Sequence, residues 1–231
     1  MKNIYLLILL ALCWGPSFLF IKVAVVEVPP MVLAGLRIGL GATILNLLLL
    51  AKKQYLPRSR DFWKKTLIAG FFAQGLPFVL INWGEQYVDS SLASLLNGLV
   101  PLSTILLAQM MLPEEKMTAN KLKGVMLGFL GLIILIFPNI QDGLTGSTLG
   151  ILAITIATIS YGIGLVYIKK NLVNIPSFQA PSAQLLSVTI YLVPLSLLFA
   201  PDFSFASVSW TVYGSITVSY THLTLPTTPY V

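Results

Sequence analysis

Charge is scarce in this chain: 10% of its 231 residues ionise as Asp, Glu, Lys or Arg, against about 25% in an ordinary soluble domain. With 56% hydrophobic residues and a mean hydropathy of +0.87, that scarcity excludes a free-standing water-soluble globule. Cysteine is nearly absent. Cys13 is alone, so no intrachain disulfide forms, and in an apolar run it serves as a small packing residue. Histidine occurs once, as His222. Without a second His, a Cys pair or a carboxylate-rich loop, no metal cluster is legible. The chain also lacks a G-x-x-x-x-G-K-[ST] loop for phosphate and any nucleophile or acid/base pair within an apolar run. Neither a cofactor nor an enzymatic activity is expected.

Long apolar runs are what the chain does have. Seven windows, near 4–26, 31–50, 66–83, 91–111, 122–138, 147–168 and 179–200, approach the roughly 20 residues a spanning helix needs. Turn signals separate them at Pro29-Pro30, Pro57, Pro113, Asn139 with Asp142-Gly143, Asn174 with Pro176, and Pro201-Asp202. The first run continues to about Val26. It exceeds a signal-peptide core of about 7–15 residues and reads as a retained span.

The charges orient these spans. With a cytoplasmic N-terminus, the inner segments hold Lys2, Lys52, Lys53, Arg58, Arg60, Lys64, Lys65, Lys116, Lys121, Lys123, Lys169 and Lys170, twelve of the fourteen basic residues. The outer segments hold none, but carry Glu27, Glu85, Asp89, Asp142 and Asp202. Basic residues resist translocation, so this asymmetry predicts a multi-pass protein of the cytoplasmic membrane with its N-terminus inside. The net charge of +6 is then a topological signal and a face toward anionic lipid. Nucleic acid is not an expected partner.

The chain also repeats itself. Leu12–Lys22 returns 147 positions later as Ile159–Lys169. Gly15 meets Gly162, Ile21 meets Ile168, Lys22 meets Lys169, Trp14 meets Tyr161, and Pro29 meets Pro176. The offset contains five spans, an odd number, so the second copy enters the membrane from the opposite side. The expected fold is therefore all-α: a polytopic membrane helical bundle of inverted five-helix repeats, with about seven spans present of an expected ten. Residues 1–138 form the first repeat and 147–217 an incomplete second, with a stub of an eighth span from Ser209. The string from Val218 to Thr227 translates, residue for residue, one reading frame of a transposase-type sequencing adapter. Residues 218–231 are accordingly read as a structureless, non-native tail, and His222 is assigned no chemistry.

Trp14-Gly15 with Phe18 and Ile21-Lys22, Pro29-Pro30, and Leu33-Ala34-x-x-Arg37 follow one another at the start of the chain. Ser91-Leu-Ala-Ser-Leu-Leu with Pro101, then Glu115, then Gly124, Gly128 and Gly131 come next. In order and spacing these residues resemble the EamA-type transporters of the drug/metabolite transporter superfamily. The resemblance covers the first repeat and roughly two spans of the second. It implies a ten-helix carrier that moves small metabolites or drugs, often outward, by alternating access. Gln184 stands where the first copy has Arg37, a departure from repeat symmetry. The rival readings are a non-transporting seven-helix membrane protein and a fragment without function.

Polar side chains inside the apolar windows are the candidates for the substrate pathway: Trp14, Arg37, Gln74, Asn82, Tyr161 and Gln184. Arg37 either contacts substrate or snorkels outward toward Glu27 or Glu85, while snorkelling is favoured for Lys22. Trp14 and Tyr161, matched in the repeat, either wall a cavity or pack between helices. The amides either line the pathway or join helices. Gln74 precedes Gly75 and Pro77, where a broken helix would expose backbone. No buried carboxylate is visible within the spans to carry a proton. Glu115 is a structural mark, an ion-pair partner of Lys116 or Lys121, or a proton site, with structure favoured. Gly35-x-x-x-Gly39, Gly124-x-x-x-Gly128 and Gly146-x-x-x-Gly150 permit close helix approach and leave a homodimer open.

Overall fold

The computed structural model describes residues 15–141, 146–176 and 178–224, together with Ile4. Ten α-helices follow in chain order: α1 Gly15–Ala24, α2 Pro30–Ala51, α3 Arg60–Gly70, α4 Leu76–Gly84, α5 Ser90–Asn97, α6 Val100–Met111, α7 Ala119–Gln141, α8 Gly146–Asn171, α9 Gln179–Phe199 and α10 Trp210–Thr224. Among the described residues, five helical segments are long and apolar enough to cross a membrane: Pro30–Ala51, Arg60–Gly84, Ser90–Met111, Ser147–Asn171 and Gln179–Phe199. No strand occurs among the described residues. The protein is an all-α, polytopic helical bundle.

Local chemistry sets the helix boundaries. Pro29 and Pro30 start α2, since a first-turn proline forfeits only an N–H that had no helical partner. Ser59 caps α3 by accepting a hydrogen bond from Phe62 N at 3.3 Å, and Asp61 lies in the positive first turn. Between α3 and α4 the chain widens into one π turn, Phe71–Gly75, rather than breaking. Pro77 explains it. With no N–H of its own, it leaves a carbonyl on the preceding turn unserved, and Ser160 Oγ of α8 donates to Phe72 O at 2.8 Å. The 91–111 window is likewise interrupted, at Gly98-Leu99 just before Pro101.

α10 runs to Thr224 and so includes residues expected to be structureless from Val218 onward. No proline interrupts the backbone until Pro226, and a helix ends at or before the residue preceding proline.

Successive spans alternate direction, and the contacts at the two ends keep the charges apart. At one end Glu115 bonds Lys121 at 3.0 Å and Lys169 at 2.8 Å, Lys52 lies 3.7 Å above the Phe178 ring, and Gln179 Nε2 donates to Tyr55 O at 3.1 Å. At the other end Ser209 N donates to the Glu27 carboxylate at 2.6 Å.

Helices in lipid gain little from burying apolar surface against one another, so close approach must hold them together. α2 packs along α9, with Ala34, Ile38, Ala42 and Leu45 facing Leu185, Val188 and Leu192. α10 lies against α2, and its Val212 and Ile216, with Val208 just before it, belong to the same apolar core as Ile21 and Ala24 of α1. α8 is the hub, touching α4, α5, α6 and the π turn. Two of its glycines allow that. A Cβ on Gly164 would stand 2.6 Å from Ala73 N, and one on Gly150 would stand 2.8 Å from Gly84 O. α7 is peripheral: Met126, Leu127, Leu130, Ile133 and Ile134 are exposed, and Gly124 and Gly131 face open space.

Candidate functional site

Seven residues into α2, Arg37 is buried at 4% exposure. It does not reach the outer surface. Its Nη2 donates to Ser17 Oγ of α1 at 3.0 Å, and its guanidinium carbon lies 4.9 Å from the centroid of the Phe78 ring of α4. That is cation–π range for a planar, weakly hydrated cation. Phe78 in turn meets Tyr161 of α8 edge-on, with ring centroids 6.2 Å apart. Arg37 and Tyr161, two of the sequence candidates, thus belong to one cluster. With Ser17, Phe18, Ile21, Phe78, Ile81 and Asn97 they line a cavity of about 20 Å³. A space of that size holds about one water and no metabolite. Trp14, the repeat counterpart of Tyr161, lies outside the described residues.

Gln74 and Gln184 form a second cluster, where Nε2 of Gln74 donates to Oε1 of Gln184 at 3.2 Å. Gln184 is 1% exposed and lies in α9, 147 positions after Arg37. Asn82, fully buried, sends its Nδ2 to Pro30 O at 3.1 Å and so fastens α4 to the start of α2. Gln74, Asn82 and Gln184 therefore do not converge on the Arg37 cavity, although Asn97, another amide of the apolar windows, does line it. Each amide still has a buried polar atom without a hydrogen-bond partner among the described residues: Gln74 Oε1, Gln184 Nε2, Asn82 Oδ1 and Asn97 Oδ1. Such atoms are costly where no bulk water reaches.

The largest correction concerns Glu85 and Lys22. By sequence Glu85 falls in an outer segment, with Lys22 snorkelling nearby. In the structure Glu85 is fully buried at the C-terminus of α4, just past the span Arg60–Gly84. Lys22, half-buried, donates to the carbonyls of Glu85 at 2.6 Å and Val88 at 2.7 Å, where a cation complements the negative helix end. Neither carboxylate oxygen of Glu85 has a hydrogen-bond partner among the described residues. Burial pushes its carboxyl up to about 8, while the positive charges of Arg37 and then Lys22 pull it down. Arg37 and Glu85 are the buried charged side chains among the described residues. A helical signal could have exposed Glu85: Phe78, Ile81 and Glu85 fall at i, i+3 and i+7, one stripe of a helix.

Glu115 sits between α6 and α7, outside the spans. Hydrogen bonds from Lys169 and Lys121 hold its carboxyl down at about 2. It pairs with Lys121, one of its two expected partners, and also with Lys169 of α8. That makes it a clasp between the α6–α7 connection and the end of α8. Beside it, α6 and α8 enclose a hollow of about 180 Å³ that Glu115, Lys121 and Lys169 border.

Comparison with known proteins places this geometry in context. The sequence profile of the EamA-like transporter family matches residues 1–137. Among curated relatives, the uncharacterized transporter YoaV of Bacillus subtilis is 26% identical over 89% of this chain and 69% of its own length. An uncharacterized transporter in the trpA 3' region of Buchnera aphidicola is 30% identical over 90% of this chain and 69% of that protein. The uncharacterized inner membrane transporter YedA of Escherichia coli is 26% identical over 82% of this chain and 60% of its own length.

Proposed function

The chain belongs to the EamA-like transporter family, and from that premise we propose that it exports small metabolites or drugs across the cytoplasmic membrane by alternating access. The observation that carries this reading is the buried polar seam where α1, α2, α4 and α8 meet. Arg37, Ser17, Phe78, Tyr161 and Asn97 line it, and the space between them is only about 20 Å³. A buried arginine beside aromatic walls offers one charged contact and apolar surface, the usual makeup of a small-molecule site. A space this small admits no metabolite, so helices must separate before solute enters.

Inverted repeats supply the separating bodies. We assign α1, α2 and α3–α4 in residues 1–138 as the counterparts of α8, α9 and α10 from residue 147 onward. That exchange maps the α2–α9 contact onto itself and the α3–α9 contact onto the α10–α2 contact, a pairing that supports the assignment. In carriers of this architecture the halves rock around a midplane site. The basic residues gathered at one end of the bundle favour that end as cytoplasmic, with the N-terminus inside. YedA's description as an inner membrane transporter supports the same membrane.

The test is export from cells that express the chain or its Arg37→Gln variant, challenged with a panel of labelled amino acids, nucleosides and cationic dyes. Loss of export by the variant at equal membrane abundance is the expected result. Equal export by both proteins would remove Arg37 from the pathway.

A further inference from the structure

We propose that Glu85 is a proton-binding site of this protein, whose protonation is linked to the charge of the Arg37 cavity. Its part in a transport cycle rests on the transporter reading above. Three observations converge on it. Glu85 is fully buried, whereas Glu27, Asp61, Asp89, Glu114 and Asp202 are exposed and Glu115 is half-exposed within its ion pairs. Both of its carboxylate oxygens lack a hydrogen-bond partner among the described residues, an arrangement that penalises the ionised form far more than the neutral acid. It also extends the Phe78–Ile81 stripe of α4, whose other members line the cavity.

The surrounding charges make the site responsive. Lys22 faces it from α1 and Arg37 from α2, and both favour the carboxylate. α8 presents Gly150 and Ile154 to this end of α4, with Tyr161 further along the helix. α5 carries no titratable residue. Tyr213 of α10 spends its hydroxyl on Phe205 O at 2.7 Å. Arg37 therefore couples two events. When the carboxylate is ionised, it shares the field of Arg37. When a proton converts it to the neutral acid, that charge becomes available to an acidic group entering the cavity. No bond other than O–H forms or breaks, and the proton is taken from one aqueous side and returned to water.

Infrared difference spectra of the whole chain in phosphatidylethanolamine–phosphatidylglycerol vesicles, titrated with protons alone, test this. The wild type should show a protonated-carboxyl stretch at neutral pH that disappears on alkalinisation through about 8. The band should be missing in Glu85→Gln. It should persist to higher pH in Arg37→Gln and keep its wild-type midpoint in Arg37→Lys. If Glu85→Gln does not fold, carboxyl-13C-glutamate in the wild type replaces it, since Glu27 and Glu114 are exposed and Glu115 is held down by its lysine ion pairs. Absence of a band above neutral pH, its survival in Glu85→Gln, or no shift in Arg37→Gln would each overturn the proposal. A titrating band in a protein that exports none of the panel would strike the transport reading and leave the proton site standing. Export that ignores pH across the band's midpoint would strike the linkage alone.

Discussion

Replacing Gly164 with alanine tests whether close approach between α8 and the π turn holds the bundle together. The added Cβ would stand 2.6 Å from Ala73 N, 2.7 Å from its Cβ and 2.8 Å from its Cα. Ordinary contacts fall at about 3.5–4.0 Å, so α8 must retreat by roughly 0.7–1.4 Å. The obstructing atoms are mostly backbone and cannot swing aside. Overpacking of this kind costs about 1–3 kcal/mol. Gly→Ala also returns up to about 1 kcal/mol of helix propensity, so a control is needed. Gly131 of α7 supplies it, because a Cβ there meets nothing within 4 Å. The propensity gain is common to both variants, and their difference isolates the overlap. At about 2–4 °C per kcal/mol for a chain of this size, Gly164→Ala should melt about 2–12 °C below Gly131→Ala in detergent by intrinsic tryptophan fluorescence. Equal melting temperatures would refute the close-approach argument.

The same seam yields a milder prediction. Ser160→Ala removes the donor to Phe72 O and should destabilise the protein by about 0.5–1.5 kcal/mol, seen as a lower melting temperature than a Thr155→Ala control, whose hydroxyl serves its own helix. A double-mutant cycle on Gln74 and Gln184 should give a coupling near 0.6 kcal/mol, the average for bonds between membrane helices; zero coupling would show that the amides act independently. Glu115 gives a pH signature. Its carboxyl is depressed, so its stabilising ion pairs are intact at neutral pH and fade as pH falls from the ordinary 4.5 toward about 2. The melting difference between wild type and Glu115→Gln should shrink over that window and, because the pair is exposed, also in high salt. A difference unchanged at pH 3 would contradict it.

Glu85 shows where reading along the chain fails. It lies between two apolar windows beside Gln86 and Asp89, and hydropathy alone cannot separate a buried helix end from a solvated loop. Whether it is wet depends on α1 and α2 covering it, which are contacts across more than forty residues of sequence. The partners of Lys22 were hidden for the same reason: its terminal amine finds the carbonyls of residues 85 and 88, which no local window contains. Arg37 was visible as an intramembrane charge, yet its direction was not, because inward and outward rotamers have the same sequence. Gln74 was noticed through Pro77, and the π turn followed from that missing N–H, though the helix shifted register where a break was expected.

By itself the sequence determined that this is a bundle of apolar helices, roughly where each begins and ends, and which family it belongs to. Those properties rest on local quantities: run length, proline and glycine placement, and the order of motifs. Only the tertiary structure decided which polar groups meet. It joined Arg37 to Ser17, Phe78 and Tyr161, paired Gln74 with Gln184, and sealed Glu85 away from water. Burial and electrostatic partnership depend on packing between distant helices, and the free energy that makes a carboxylate hold a proton is set by that packing.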